Sequence, residues 1–124
     1  SEGFQVETEL ISETPFQYNE WVWDIIHRQP FDRALLKERN YIPINCLMFS
    51  RDLYSRCGGF DESLSLLEDW ELWNRYAERA QFLFVPKTTC LYRVPRGQRV
   101  SASRQQALDE AYPGIKRKFE VGYS

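Results

Sequence analysis

The sequence predicts a mixed α/β fold, in which a small sheet is packed with helices. The first observation behind this prediction is a helical spacing of the larger apolar residues, at Trp70, Trp73, Ala77 and Ala80. The second is a set of short apolar runs bounded by proline, glycine or polar residues, at 46–49, 81–85 and 88–94. We therefore expect the helix at residues 69–80 to pack its tryptophan face against a sheet made of these three runs.

Length and composition limit the chain to one domain. Its 124 residues are 43% hydrophobic and 15% aromatic, which is enough to bury a modest core. A formal net charge of −2 gives no overall field that would attract nucleic acid. No apolar run reaches the length of a membrane helix, and no secretory signal pattern opens the chain. The sequence therefore predicts neither a nucleic-acid partner nor a transmembrane segment.

The N-terminal third carries weaker signals. Residues 1–15 are polar and acidic, and they predict a linker or an edge strand. In residues 16–26 the apolar positions alternate in two phases, which is typical of a strand with a bulge or a hairpin. A helix at residues 19–27 is the alternative. His27 is the only histidine and has no metal-ligand spacing around it, so we expect a structural or surface role.

Two capping residues predict short helices in the middle of the chain. Asp32 precedes an apolar helix at residues 33–38 that stops near Asn40. Residues 41–45 are expected to be extended around Pro43. Ser50 precedes a second helix, at residues 51–57, which ends at the glycine pair Gly58 and Gly59.

The C-terminal region, residues 95–124, predicts a basic loop followed by a helix, outside a core of residues 16–94. Four arginines in this loop and just before it suit either a solvated loop or a site for a phosphate-bearing ligand, and they are Arg93, Arg96, Arg99 and Arg104. Residues 105–112 predict a short helix stopped by Pro113 and Gly114, and residues 116–118 predict an exposed tail.

The three cysteines are Cys46, Cys57 and Cys90. Their number is odd, and they show neither a CxxC pair nor the spacing of a zinc site. The sequence therefore predicts reduced thiols and a cytoplasmic protein. The inner face of the plasma membrane is the alternative location.

One ordered series of motifs runs through the middle of the chain. It contains Gly58-Gly59-Phe60-Asp61-Glu62, then Glu68-Asp69-Trp70-Glu71-Leu72-Trp73, then the apolar run 81–85 with Pro86, and finally Tyr92-Arg93. This series, over residues 31–93, resembles the C-terminal, acceptor-binding half of the family 2 glycosyltransferases of the GT-A fold. The specificity of the resemblance lies in the order of the pieces, because each piece alone is weak. The first residue, Ser1, adds the expectation that the chain is a piece of a longer protein.

The resemblance implies a reaction and a set of residues. An acceptor hydroxyl attacks the anomeric carbon of a nucleotide sugar with inversion, and the position that matches the catalytic base is Asp69, with Glu68 beside it. The acceptor-binding residues that it implies are Gly58, Gly59, Phe60, Asp61, Trp70 and Arg93. A carboxylate at a helix start also has a simpler explanation, because the helix dipole favours negative charge there. The same dipole lowers a carboxylate pKa, whereas burial against Trp70 would raise it.

The resemblance also implies partners and cofactors for a larger parent enzyme. The partners are a nucleotide-sugar donor and a hydroxyl acceptor, which is a sugar, a lipid-linked sugar or a polysaccharide. Mg²⁺ or Mn²⁺ would bind the parent through a DxD motif, and no DxD occurs in this sequence. We therefore expect no metal or other cofactor in this fragment, no activity from the fragment alone, and a homodimer through the surface that the missing half would cover. The alternative is a non-catalytic sugar-recognition or protein-interaction module on the same scaffold.

Overall fold

The computed structural model describes residues 1–96 and 98–122, with all their side chains except those of residues 4, 5, 16, 18, 21–26, 95 and 98–101. Its elements are β1 (Glu2–Glu13), β2 (Phe16–His27), α1 (Arg33–Glu38), a 3-10 turn (Ile44–Cys46), α2 (Arg51–Cys57), α3 (Glu68–Ala77), β3 (Thr88–Pro95) and α4 (Gln98–Val121). The predicted mixed α/β class is therefore confirmed.

The three strands form one mixed sheet in the order β2-β1-β3. β1 and β2 are the antiparallel arms of a hairpin, which confirms a strand rather than a helix after residue 16. β3 returns from far along the chain and pairs with β1 in parallel, with Gly3 opposite Cys90. The prediction of a linker or edge strand for residues 1–15 is thus wrong, because β1 is the central strand. Its polar composition was misleading, since a strand is held by backbone hydrogen bonds that every non-proline residue supplies.

Two of the predicted strands are absent from the described residues. Residues 46–49 do not pair with the sheet: Cys46 closes a 3-10 turn through its N–H to the Pro43 carbonyl, and the Met48 side chain is 95% exposed. Residues 81–85 are also unpaired, although Phe82 packs on Phe31 with ring centroids 4.7 Å apart. Both predictions took apolar content as a strand signal, but neither run forms backbone ladder hydrogen bonds with the sheet. The predicted strand at 88–94 is confirmed as β3.

The predicted helix caps are confirmed. The Asp32 carboxylate accepts a hydrogen bond from the Leu35 N–H at 3.0 Å, and α1 ends at Glu38, just before the predicted stop. The Ser50 hydroxyl accepts from the Leu53 N–H at 3.1 Å. α2 ends at Gly58, whose φ of 80° lies in the left-handed region that glycine adopts without a steric penalty.

α3 is the centre of the hydrophobic core. Trp70 and Trp73 are buried as predicted, so the helical period was read correctly. The expected sheet was wrong, however, because the runs 46–49, 81–85 and 88–94 form no common sheet, and the buried core around α3 includes side chains of the other helices. The Trp70 ring packs on Tyr112 and Phe119 of α4, with centroids 4.6 and 4.8 Å away. Its indole N–H donates to the Leu36 carbonyl of α1 at 2.5 Å. α3 is therefore covered on several sides by helices.

α4 corrects three predictions about the C-terminal region. The expected basic loop and short helix form one helix from Gln98 to Val121, and this helix continues through Pro113. The expected exposed tail lies within it, where Ile115 and Phe119 enter the core. Burial of these two side chains favours a continuous helix despite the hydrogen bond that proline cannot donate. No helix among the described residues is long and apolar enough to cross a membrane.

Candidate functional site

Asp69 lies in the first turn of α3, as the sequence predicts. The residue before the helix, Leu67, has φ 59° and ψ 23°, which is the left-handed conformation that is rare for a non-glycine residue. Its side chain is buried in the core, and this burial holds the strained backbone in place. Such backbone strain is found disproportionately at functional sites. No sequence signal predicts this angle, since leucine rarely adopts the left-handed conformation.

The Asp69 carboxylate is held by two hydrogen bonds to one oxygen. Its Oδ1 accepts from the Asn40 side-chain amide at 3.1 Å and from the Trp70 backbone N–H at 2.7 Å. Asn40 also connects this corner to α4, because its backbone N–H donates to the Tyr112 hydroxyl at 3.3 Å. Oδ1 is therefore fixed in orientation, and Oδ2 accepts neither of these two hydrogen bonds.

Burial raises the pKa of Asp69 above its usual value. The hydrogen bonds from Trp70 and Asn40 act in the opposite direction, and the negative charge of Glu68 adds a smaller upward contribution. The sequence left open whether the helix start or burial dominates; in the structure burial dominates. A carboxylate with a raised pKa is a stronger base once it is ionised. Glu68, the neighbouring predicted residue, is half-buried at the first position of the helix.

The backbone of Gly58 and Gly59 is hydrogen-bonded to side chains at the C-terminal end of α3, away from Asp69. The Arg75 guanidinium donates to the Cys57 carbonyl and, at 2.6 Å, to the Gly59 carbonyl. The Tyr76 hydroxyl donates to the Gly58 carbonyl at 2.7 Å. Arg75 is itself paired with the buried Glu71 at 3.0 Å, so the loop rests on a charged pair inside the protein.

Phe60 and Asp61 continue this loop at the surface. The Phe60 ring is exposed, and the Asp61 carboxylate pairs with Lys118 of α4 at 2.7 Å. The hydrogen bond from Lys118, followed by those from Ser63, holds the pKa of Asp61 far below its usual range. Asp61 is therefore a charged contact between the loop and α4.

The structure does not gather all the predicted site residues in one place. Arg75, which holds the glycine loop, lies six residues after Asp69, or about 9 Å along the helix axis. Trp70 has no exposed surface, so in this conformation it packs the core and offers no face to an acceptor. Arg93 lies on β3 in the sheet, where its guanidinium pairs with Glu20 of β2 at 3.0 Å. The predicted residues thus fall into three groups: the start of α3, the loop at its other end, and the sheet.

The other arginines of the expected basic loop have separate partners. Arg96 lies 3.9 Å from the Glu7 carboxylate, and Arg104 donates to the Tyr92 hydroxyl at 2.8 Å. The side chain of Arg99 lies outside the described residues. The described arginines of this set are therefore spread over contacts with the sheet, and they do not converge on a phosphate-sized site.

A half-open cavity of 680 Å³ lies elsewhere, beside the unpaired segment 81–85. Its walls are largely apolar and include Phe31, Ile42, Phe49 and Phe82. His27 also lines it, half-buried and edge-on to Tyr92 with ring centroids 5.5 Å apart. Burial lowers the pKa of His27. A second, more open cavity lies beside Glu71, Arg75 and Lys118, and neither of these two cavities is lined by Asp69.

Side chains that could bind a metal ion are not clustered in the part of the chain that the structure describes. Those residues contain no group of three or more histidine, cysteine, aspartate or glutamate side chains that could hold a metal ion. These described residues therefore offer no ligand set for a divalent metal of the kind that a DxD motif would bind.

Comparisons with protein-family models, with curated proteins and with solved structures gave no match for this chain. The resemblance to family 2 glycosyltransferases therefore rests on the motif series alone.

Three residues near the candidate site were not predicted from the sequence, and they are Asn40, Leu67 and Arg75. No periodicity or spacing in the sequence pointed to them, because each acts through a tertiary contact or a backbone angle.

Proposed function

We propose that this chain is the acceptor-side half of an inverting glycosyltransferase of the GT-A fold, and that Asp69 is its catalytic base. The observation that supports the proposal is the setting of Asp69: a carboxylate at a helix start, oriented by Asn40 and the Trp70 N–H, with its pKa raised by burial. A carboxylate that served only to interact with the helix dipole could lie at the surface, and it would need neither fixed hydrogen-bond partners nor burial.

The proposed reaction assigns one proton transfer to this chain. The acceptor hydroxyl oxygen bonds to the anomeric carbon of the donor, and the bond from that carbon to the nucleotide diphosphate breaks. Oδ2 of Asp69 takes the hydroxyl proton as the new bond forms. Oδ1 keeps its hydrogen bond to Asn40, which fixes the carboxylate plane during the transfer. Glu68 would orient the acceptor, and the exposed Phe60 would provide a surface for a sugar ring.

The proposed enzyme requires a second half that binds the nucleotide-sugar donor, so the fragment alone is expected to be inactive. The acceptor would be a sugar, a lipid-linked sugar or a polysaccharide, and the reaction would belong to polysaccharide biosynthesis in the cytoplasm or at the inner face of the plasma membrane. Self-association of the isolated fragment into a homodimer is part of the same proposal. Exposed apolar side chains such as Met48 and Leu83, 95% and 80% exposed, would drive it.

The test is the substitution Asp69→Asn in the complete protein that contains this chain, assayed with a panel of nucleotide-sugar donors. Asparagine keeps the size and still accepts from Asn40 and Trp70, so stability should change by about 1 kcal/mol or less. Turnover should fall by roughly 100- to 10,000-fold, the usual contribution of a positioned base. A normal melting curve with this loss of turnover supports the proposal.

Asp52→Asn is the matched control. Asp52 occupies the second position of α2, as Asp69 does in α3, but its side chain is exposed and pairs with Arg56 at 2.9 Å. This variant should retain the turnover of the unmodified protein. If Asp69→Asn also retains most of its turnover, Asp69 is a helix-start residue and the proposal fails.

The second candidate is a non-catalytic sugar-recognition or protein-interaction module. It is favoured by the 680 Å³ apolar cavity and the exposed Met48 and Leu83 beside it, because such surfaces usually contact a ligand or a partner. A complete protein that transfers no sugar from any donor of the panel would favour this candidate over the first.

A further inference from the structure

Two thiols meet where the 3-10 turn packs against the sheet. Cys46 ends the 3-10 turn and Cys90 lies on β3, and their Sγ atoms are 2.7 Å apart although 44 positions separate them in the chain. Both are free thiols in this structure. A disulfide bond is about 2.05 Å long, so a displacement of less than an ångström would join them.

The space around the two sulfur atoms is created by a glycine. Gly3 of β1 lies opposite Cys90 in the parallel register. A Cβ atom at Gly3 would lie 2.8 Å from the Cys90 sulfur and 2.9 Å from the Cys46 sulfur, closer than real Cβ contacts. Any other residue at this position would therefore displace at least one of the two thiols.

The backbone on both sides of the pair is tied together. The Asn45 side-chain amide donates to the Leu91 carbonyl at 3.2 Å, and the Ser1 hydroxyl donates to the Cys46 carbonyl at 3.2 Å. The first bond holds the 3-10 turn against β3 and the second holds it against the residue that precedes β1, so bringing the sulfurs together costs little further chain entropy.

The third cysteine provides an internal comparison. Cys57 is half-buried at the end of α2, and its carbonyl accepts a hydrogen bond from Arg75. It belongs to neither the 3-10 turn nor the sheet. A chemistry that depends on the Cys46–Cys90 geometry should therefore leave Cys57 unchanged.

We propose that Cys46 and Cys90 are an oxidation site that closes to a reversible intramolecular disulfide between the 3-10 turn and β3. The oxidant is a small-molecule disulfide such as oxidised glutathione. One cysteine sulfur attacks it and forms a mixed disulfide, releasing one glutathione thiol. The second cysteine then displaces the other glutathione, so two cysteine thiols and one small disulfide become one protein disulfide and two small thiols.

The order of the two attacks follows from exposure. Cys46 is 3% exposed, whereas Cys90 is half-buried and reachable from solvent. Burial, together with the neighbouring Cys90 thiol, raises the pKa of Cys46 to about 12. Since the thiolate is the attacking species, Cys90 should react with the oxidant and Cys46 should close the bridge.

The experiment is thiol counting and peptide mapping of the folded 124-residue chain after treatment with oxidised glutathione. When the chain is quenched in acid and then unfolded for titration, thiol reagent should count three thiols before treatment and one afterwards, and the intact mass should fall by two hydrogens. The peptide map should contain a Cys46–Cys90 bridge with Cys57 unmodified. A small thiol added in excess should restore all three thiols.

Three variants separate the geometry from general reactivity. Cys57→Ser should still form the bridge, whereas Cys46→Ser should stop at a mixed disulfide on Cys90. Gly3→Ala keeps both thiols but displaces them, so it should form the bridge more slowly than the unmodified chain. If the unmodified chain keeps three thiols, or if Cys57 is part of the bridge, the proposal is wrong. The peptide map of the unmodified chain decides the question even where a variant does not fold.

Discussion

Closing the Cys46–Cys90 bridge should stabilise the folded chain by an amount set by the length of the loop that it closes. The two residues are 44 positions apart, and the segment between them contains α2 and α3. In the chain-entropy description, closing a loop of about 45 residues lowers the conformational entropy of the unfolded chain by roughly 13 cal/mol/K. At 25 °C this loss stabilises the folded state by about 4 kcal/mol. Any distortion of the native backbone that the bond imposes subtracts from this value.

The matching thermal shift is large enough to measure directly. For a domain of this size, 4 kcal/mol corresponds to a rise in Tm of roughly 15 °C. We would melt the oxidised and reduced forms of the Cys57→Ser chain side by side, following circular dichroism, because this background excludes mispaired bridges. Urea unfolding of the same two samples gives the free energy difference independently.

The control is the Cys46→Ser, Cys57→Ser double variant, which should melt at the same temperature in oxidising and reducing buffer. A stabilisation of less than about 1 kcal/mol in the bridged form would refute the reasoning, because it would mean that native distortion offsets the loop entropy. A bridged form that melts below the reduced form would refute it more strongly.

Two further predictions concern Asp69 and the exposed apolar surface. The pKa of Asp69 is raised in the folded chain, so the folded state binds the carboxyl proton more tightly than the unfolded state does. The free energy of unfolding therefore falls as pH rises from below 3.8, the usual pKa, through the raised pKa of the folded state. Asp69→Asn has no proton to lose at this position, so it removes this decrease. The stability of the variant relative to the unmodified chain should therefore increase from pH 3 to pH 7 in urea titrations, and a difference independent of pH would contradict the burial of this carboxylate. For the surface, we expect the isolated chain to be a dimer or a larger species by light scattering, and Leu83→Ser, which removes an 80% exposed apolar side chain, to weaken it. A monomer at high concentration would contradict this prediction.

Local signals in the sequence predicted the short elements well. Asp32 and Ser50 each cap a helix because their side chains reach an N–H three residues on, which is a property of neighbouring residues alone. The same holds for Gly58, whose positive φ ends α2. The placement of Asp69 in a first turn was predicted on similar grounds, since an acidic pair preceded a periodic apolar run.

Tertiary contacts decided the elements that were predicted wrongly. Residues 81–85 are an apolar run like a buried strand, but they pair with no strand, and Phe82 packs on Phe31 instead. Pro113 locally disfavours a helix, but the burial of Ile115 and Phe119 in the core favours its continuation, and α4 runs through the proline. Asn40 follows the end of α1 as predicted, but its second role, the hydrogen bond to Asp69 from 29 positions away, was missed. Contacts of this range leave no pattern in a single sequence.

The central position of β1 determines the order in which this chain can fold. The hairpin of β1 and β2 involves neighbours in sequence, and such a hairpin can close within microseconds. The parallel pair of β1 and β3 joins residues 86 positions apart, as in the Thr8 hydroxyl bond to the Val94 carbonyl, so it requires closure of a loop that holds most of the helical core. The β1–β3 pairing is therefore expected to form later than the hairpin. Until it forms, one edge of β1 is open, and an open strand edge can pair with the β3 segment of another copy.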